Sequence, residues 1–71
     1  MATKYVMVEV YDREIVVYQY ENLEDAKADL RESFEEVSDG MAEDCCYISD
    51  DGMVAYVHDV EPIDWQIEAI N

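Results

Sequence analysis

The side chains that could do chemistry in this sequence are a single histidine, an adjacent pair of cysteines and many carboxylates. No serine or cysteine can be assigned to His58 as a partner, so a nucleophilic triad is not supported. Cys45, Cys46 and His58 also lack the ligand spacing of a zinc site. We therefore predict no catalytic residues, no metal site and no cofactor, and we expect that the protein is not an enzyme.

The segment Asp50-Asp51-Gly52 places two carboxylates before a glycine, as calcium-binding loops do. The ligand spacing and the bidentate glutamate of such a loop are missing, which favours a hairpin turn. The two glycines of the chain form no phosphate-binding loop. The acidic composition leaves a weak divalent-cation binder as an alternative, although no site for the cation is predicted.

One group of carboxylates does follow a pattern, because it lies on an amphipathic helix predicted from Asn22 to Val37. The apolar residues of this helix recur at spacings of three and four: Leu23, Ala26, Leu30, Phe34 and Val37. Asn22 is a favourable N-cap, and Gly40 can adopt the left-handed conformation that ends a helix.

The outer surface of the predicted helix is negatively charged. Six carboxylates lie on the arc opposite Leu30, at about 100° per residue: Glu24, Asp25, Asp29, Glu32, Glu35 and Glu36. Like charges at such spacings destabilise an isolated helix by about 0.2–0.5 kcal/mol per pair, and only Lys27 and Arg31 offset them. The pattern fits either a solvated face or a surface that binds a partner. In the second case Asp39, Glu43 and Asp44 extend the partner-binding surface.

Runs of β-branched and aromatic residues predict strands on both sides of the helix. Two strands, 4–11 and 14–20, are joined by a turn at Asp12-Arg13, and two more follow at 45–49 and 53–58. The segment 64–70 has both helical and strand periodicity, and we favour a strand because tryptophan and isoleucine prefer strands. The order β-β-α-β-β with a fifth strand predicts an α+β fold, in which one helix packs on an antiparallel sheet of four to five strands.

The first two predicted strands have two different faces. We expect the helix to cover the aliphatic face: Val6, Val8, Val10, Ile15 and Val17. The other face carries residue types that are favoured where a partner buries a surface: Tyr5, Met7, Tyr11, Tyr18 and Tyr20. Either the C-terminal segment with Trp65 or a partner covers this second face, and the partner could be a second copy of the chain.

Composition restricts the range of partners. A length of 71 residues predicts a single domain, 1–71, and a hydrophobic content of 51% predicts a folded core. Nineteen acidic and four basic residues give a net charge of -15, so direct binding to nucleic acid or to an anionic membrane is disfavoured by repulsion. No signal peptide or transmembrane run is evident, and we expect a cytoplasmic protein.

The net charge is comparable with that of DNA. A compact domain of this length is about 30 Å across, and B-DNA of that length carries roughly 17–18 phosphate charges. In size and acidic composition the whole chain resembles the small acidic inhibitors of phages and mobile elements, which include anti-CRISPR proteins and other DNA mimics. The resemblance implies inhibition of a basic, nucleic-acid-handling protein or nuclease complex through the negative helix surface. The alternative is a small homodimeric or accessory interaction domain that uses the tyrosine-rich face, with the acidity serving solubility.

Overall fold

The computed structural model describes residues 4–58 and 62–70, which form one sheet and one long helix. The strands are β1 (Lys4–Tyr11), β2 (Glu14–Tyr20), β3 (Cys46–Ile48), β4 (Val54–Val57) and β5 (Ile63–Ile70). The helix α1 is Leu23–Ser38, and a short 3₁₀ helix is Glu43–Cys45. The predicted α+β fold and the order β-β-α-β-β with a fifth strand are confirmed.

The strands are ordered β2-β1-β5-β4-β3 in the sheet, and all neighbours are antiparallel. The last strand in the sequence, β5, therefore lies in the middle, between the β1–β2 and β3–β4 hairpins. Helix α1 connects β2 at one edge with β3 at the other, so it crosses one face of the sheet. Segment 63–70 is a strand rather than a helix because its backbone pairs with a neighbour on both sides.

Helix α1 begins and ends close to the predicted residues. The side-chain oxygen of Asn22 accepts a hydrogen bond from the backbone N–H of Asp25 at 2.8 Å, which satisfies a donor of the first turn. At the other end, Met41 N–H donates to the Ser38 carbonyl at 2.9 Å, and Gly40 has φ of 79°. Asp39 has φ of -58° and ψ of 122°, so these residues form a type II turn, which favours glycine at its third position.

The hairpin turn between β1 and β2 forms without glycine. Asp12 and Arg13 have φ values of 50° and 69°, both in the left-handed region. A two-residue loop of this kind is a type I′ turn, whose twist matches that of the paired strands. Asparagine and glycine adopt it most readily, whereas the Cβ of Arg13 introduces steric strain.

The core lies between α1 and one face of the sheet. Ala26 and Leu30 of the helix are fully buried, and Leu23, Phe34 and Val37 pack around them, so the predicted apolar stripe is confirmed. The buried strand residues are Met7, Ala55, Val57, Ile63, Trp65 and Ile67. Within residues 4–58 and 62–70 no helix is long and apolar enough to cross a membrane.

Trp65 is the largest side chain that is fully buried, with 1% of its surface exposed. Its ring meets Phe34 edge-on, with the centroids 6.3 Å apart. Its indole N–H donates to a carboxylate oxygen of the half-buried Glu9 at 2.9 Å, so the polar atom of the ring is satisfied at the edge of the core. The sequence pattern did not reveal this pairing, although Glu9 is the one carboxylate on the tyrosine and methionine face of β1.

The expected assignment of the two sheet faces is wrong, because the helix covers the tyrosine and methionine face. Met7 is 2% exposed, and Tyr5 and Tyr20 pack against the core beside it. Tyr11 and Tyr18 remain exposed near the rim of this face. The predicted second interface is therefore mostly the floor of the core, and the open face is the aliphatic one: Val6, Val8, Val10, Ile15 and Val17.

The reason for this correction is the central strand. Alternation along β5 directs Ile63, Trp65 and Ile67 to the side of Met7. The opposite side of β5 carries the polar residues Asp64, Gln66 and Glu68. Burying Ile63, Trp65 and Ile67 removes far more apolar surface from water than burying the polar side of β5 would. The helix therefore packs on the side of these three residues, although β1 and β2 carry their aliphatic side chains on the other side.

Two boundaries after the helix also differ from prediction. Cys45 belongs to the 3₁₀ helix, where its N–H donates to the Ala42 carbonyl at 3.1 Å, so β3 begins at Cys46 and ends before Ser49. β4 is shorter than 53–58, although His58 N–H still donates to the Cys45 carbonyl at 2.8 Å. The predicted turn is confirmed, since Gly52 N–H donates to the Ser49 carbonyl at 3.0 Å.

Truncating a side chain to alanine should lower the free energy of unfolding by different amounts on the two faces of β1. We expect Met7→Ala to reduce the free energy of unfolding by about 2–5 kcal/mol, because it leaves a cavity under α1. Val10→Ala on the open face of the same strand should cost less than about 1 kcal/mol. Urea unfolding of both variants measures the difference, and equal costs would contradict the face assignment.

Relief of the strained hairpin turn should stabilise the protein. We expect Arg13→Gly to have a free energy of unfolding about 1 kcal/mol higher than Arg13→Ala, because glycine adopts the left-handed conformation without steric cost. Urea unfolding of the two variants measures this difference. Both variants lose the same positive charge, so the alanine variant controls for electrostatics. Equal stability of the two would show that residue 13 is not left-handed in solution.

Candidate functional site

The acidic surface is the set of carboxylates on and after α1 that face solvent. Its members are Glu24, Asp25, Asp29, Glu32, Glu35, Glu36, Asp39, Glu43 and Asp44. All nine residues are exposed, because the apolar stripe of α1 turns the opposite side of the helix outward. Six of the predicted partner-binding residues lie on the outward side of α1, whereas Asp39 lies in the type II turn and Glu43 and Asp44 lie in the 3₁₀ helix.

Four of these carboxylates form the acidic row: Asp25, Asp29, Glu32 and Glu36. Their spacing of three and four residues aligns them along the side of α1 that faces β2. The six helix carboxylates span 12 residue steps from Glu24 to Glu36, about 18 Å at 1.5 Å per residue. That is about one charge per 3 Å, close to the 3.4 Å spacing of phosphates along one DNA strand.

No basic residue neutralises the acidic surface within the described chain. Between residues 4–58 and 62–70 the ion pair present joins His58 and Asp64, 2.9 Å apart, on the open face of the sheet. The stem of Lys27 lies 3.9 Å from where a Cβ on Gly52 would be, so this side chain leans toward the β3–β4 turn. The last turn of α1 contains no basic residue, which leaves the negative end of the helix dipole beside Glu35 and Glu36.

A cleft of about 210 Å³ runs between the acidic row and the β1–β2 hairpin. It is lined by Met7, Tyr18, Tyr20, Asp29, Glu32, Ser33 and Glu36. The structure thus brings together three residues of the predicted acidic surface and three of the predicted tyrosine-rich face. Sequence reasoning placed these two groups on separate surfaces and missed Ser33, because the route of α1 across the sheet is not encoded in either pattern alone.

A hydrogen bond ties the acidic row to the sheet. The hydroxyl of Tyr20 donates to an Asp29 carboxylate oxygen at 2.8 Å. Burial of the ring, followed by this bond to a carboxylate, raises the pKa of Tyr20 well above its ordinary value of 10.0. The neutral phenol is therefore favoured in the folded state, and it holds Asp29 at a defined position in the row.

The remaining polar clusters have structural explanations. His58 is exposed and stacks on Tyr56 with centroids 4.2 Å apart, and Tyr56 stacks on Tyr47 in turn. In the β3–β4 turn, the hydroxyl of Ser49 and the N–H of Met53 donate to Asp51 and hold the pKa of that carboxyl below its usual value. No group of three metal-ligating side chains is found in the described part of the chain.

The protein is longer and thinner than the expected compact domain of about 30 Å across. Its principal extents are 42 × 25 × 15 Å, so a net charge of -15 corresponds to about one charge per 2.8 Å of length. Duplex DNA carries one charge per roughly 1.7 Å. The overall charge density is therefore lower than that of a duplex, and the resemblance to DNA is closer for α1 alone, where the mean charge per unit length approaches that of a single strand.

The hydrogen bond between Tyr20 and Asp29 predicts a change in alkaline stability. A group whose pKa is raised on folding stabilises the fold fully below its unfolded pKa, and this contribution is lost as pH rises toward the folded pKa. We therefore expect the wild type to be more stable than Tyr20→Phe by about 1 kcal/mol or less at neutral pH, with the difference shrinking above pH 10.

Urea unfolding between neutral pH and about pH 11 measures this effect. Tyr18→Phe is the matched control, because Tyr18 lines the same cleft and is 43% exposed. A stability difference for Tyr20→Phe that does not depend on pH would contradict the role assigned to the hydroxyl.

Comparison with known proteins adds no family to these observations. No protein-family model matches the chain, and neither does any curated protein or any solved structure.

Proposed function

We propose that the protein is an inhibitor that binds a basic, nucleic-acid-handling protein through its acidic surface. The observation that carries the proposal is the exposure of nine carboxylates, six of them on the outward side of α1, with no lysine or arginine of the described chain in ion-pairing distance of them. Crowded like charges raise the free energy of the folded state. A positively charged partner would offset this repulsion on binding.

The partner's surface is expected to be one that normally binds phosphates. The carboxylates of α1 carry about as much charge per unit length as the phosphates along one strand, so a surface arranged for nucleic acid would meet a similar density of negative charge. Complementary charge accelerates encounter and selects a basic partner over a neutral one. The same charge repels nucleic acid and anionic membranes, so the protein competes with nucleic acid instead of binding it.

The cleft beside the acidic row offers a specific contact for an arginine or lysine of the target. Glu32 and Glu36 supply carboxylates on one wall, and Tyr18 supplies an exposed aromatic ring on the other. A guanidinium fits such a cleft, because it donates charge-assisted hydrogen bonds to carboxylates and stacks on aromatic faces. The cleft thus offers a short-range contact of defined geometry in addition to the long-range electrostatic attraction.

This function corresponds to the group of small acidic inhibitors from phages and mobile elements, of the anti-CRISPR or DNA-mimic type. A nuclease complex, a restriction enzyme or a repressor in the cytoplasm is the kind of target proposed. The protein acts by occupying the target, without catalysis and without a cofactor. The alternative of an interaction domain that uses the tyrosine-rich face is weakened, because Met7 lies beneath α1 and Tyr5 and Tyr20 pack against the core.

Charge reversal on the acidic row tests the proposal. We expect the triple change Asp29→Lys, Glu32→Lys and Glu36→Lys to abolish target binding while circular dichroism stays native, because all three residues are exposed. The matched control reverses three exposed carboxylates elsewhere, Glu14, Asp50 and Glu68, and changes the net charge equally.

The immobilised protein is incubated with nuclease-treated host lysate, and the captured proteins are identified by mass spectrometry. Nucleic-acid-binding proteins should be enriched, and added duplex DNA should release them. Enrichment that the row variant retains, or that the control variant loses equally, would eliminate the acidic row as the binding surface.

A further inference from the structure

The two edges of the sheet are protected very differently. β3 has three residues and is flanked by the acidic 3₁₀ helix and the Asp50-Asp51 turn. β2 has seven residues, and within residues 4–58 and 62–70 it pairs with β1 on one side only. Its central residues are apolar and exposed: Ile15 at 68%, Val16 at 39%, Val17 at 53% and Tyr18 at 43%. A long apolar edge without proline, lysine or an inward charge is a surface that pairs with another strand.

The hairpin turn determines which backbone groups of β2 point outward. In a two-residue hairpin, the residues flanking the turn form a hydrogen-bonded pair, which here is Tyr11 with Glu14. Along an antiparallel strand, every second residue points its backbone N–H and C=O groups at the same neighbour. The even-numbered residues from 14 to 20 therefore point these groups toward β1. The backbone groups of Ile15, Val17 and Gln19 therefore face away from the sheet.

From these groups we infer that the β2 edge is a self-complementary interface, which pairs antiparallel with β2 of a second copy about a two-fold axis at Val17. In this register Val17 lies opposite its own copy and Ile15 lies opposite Gln19, so the outward groups match and add about six backbone hydrogen bonds. On the helix side of the sheet, Val16 lies opposite Tyr18.

The charges of β2 agree with this register. Glu14 is the strand's charged residue, and antiparallel pairing places it opposite Tyr20, whereas parallel pairing would place the two glutamates side by side. The apolar side chains at 15, 16, 17 and 18 would be covered by the second copy. A contact one strand wide lies at the small end of protein interfaces, so we expect a concentration-dependent equilibrium between monomer and dimer.

The two-fold axis is perpendicular to the sheet, because only that axis reverses the strand direction while it keeps one continuous sheet. Both α1 helices then lie on the same side of a ten-stranded sheet, with their axes roughly 20 Å apart at 4.8 Å per strand. The two acidic rows then face each other across Tyr18 and Tyr20, so they repel each other, and added salt screens this repulsion. The dimer does not depend on the acidic surface binding a basic protein.

Light scattering across protein concentrations from about 10 µM to about 1 mM tests the interface. The wild type should approach twice the monomer mass of 8.3 kDa, and more so in about 0.5 M NaCl, which screens repulsion. Val17→Lys places two like charges opposite each other and should remain at 8.3 kDa. Val54→Lys, on the open face of β4 away from the edge, is the matched control and should still dimerise.

A wild type that stays monomeric over this range would overturn the proposal. So would dimerisation that Val54→Lys abolishes and Val17→Lys spares, because that pattern means face-to-face packing of the open sheets. Circular dichroism confirms that the variants fold, as expected for exposed positions.

Cysteine cross-linking tests the register separately. In a hydrogen-bonded antiparallel pair the Cα atoms are about 5.5 Å apart, within the range of a disulfide, so oxidised Val17→Cys should link two copies of the tryptic peptide 14–27. In Ile15→Cys the Cα atoms of the two cysteines would be about 14 Å apart, so these cysteines should not link. Equal linking at both positions, or none at Val17→Cys, would refute pairing about Val17.

Discussion

Leu30 and Ala26 of α1 belong to one buried cluster with Trp65 and Ile67 of β5, and this packing is the contact on which the other features of the structure depend. β5 is the strand between the two hairpins, so the sheet is continuous only when β5 is in place. The apolar side of β5 also determines which face of the whole sheet is buried under α1. Trp65 contributes the largest buried side chain, and Glu9 satisfies its indole N–H from the neighbouring strand.

Because the buried cluster is entirely apolar within the described chain, the charges of the molecule are left on its outer surface. Repulsion among the helix carboxylates and the uncompensated helix dipole both oppose folding, and the core must outweigh them. Surface carboxylates placed for stability would alternate with lysines along α1. Here α1 carries only Lys27 and Arg31 beside its row of carboxylates, so the outer surface of the helix contributes little to the stability of the fold.

The route of α1 across the sheet gives the molecule two surfaces of different chemistry. On the side of β2, the acidic row overhangs the hairpin and forms a cleft with Tyr18 and Tyr20, so charge and aromatic surface act at the same place. The outer edge of β2 is apolar and offers unpaired backbone groups instead. A charged surface attracts at long range, whereas an apolar edge with outward backbone groups binds at contact.

The sequence by itself determined the features that depend on neighbours along the chain. These are the bounds of α1 with the Asn22 cap and the left-handed Gly40, the turns at Asp12-Arg13 and Asp50-Asp51-Gly52, the strands, and the exposure of the acidic surface opposite the apolar stripe. Tertiary structure alone decided which face of β1 and β2 is buried, and therefore that Met7 is buried and Val17 is exposed. Alternation along a strand defines two faces but does not choose between them, because the choice depends on the strand that lies alongside. Here that strand is β5, which is more than 50 residues away from β1 in sequence and adjacent to it in space.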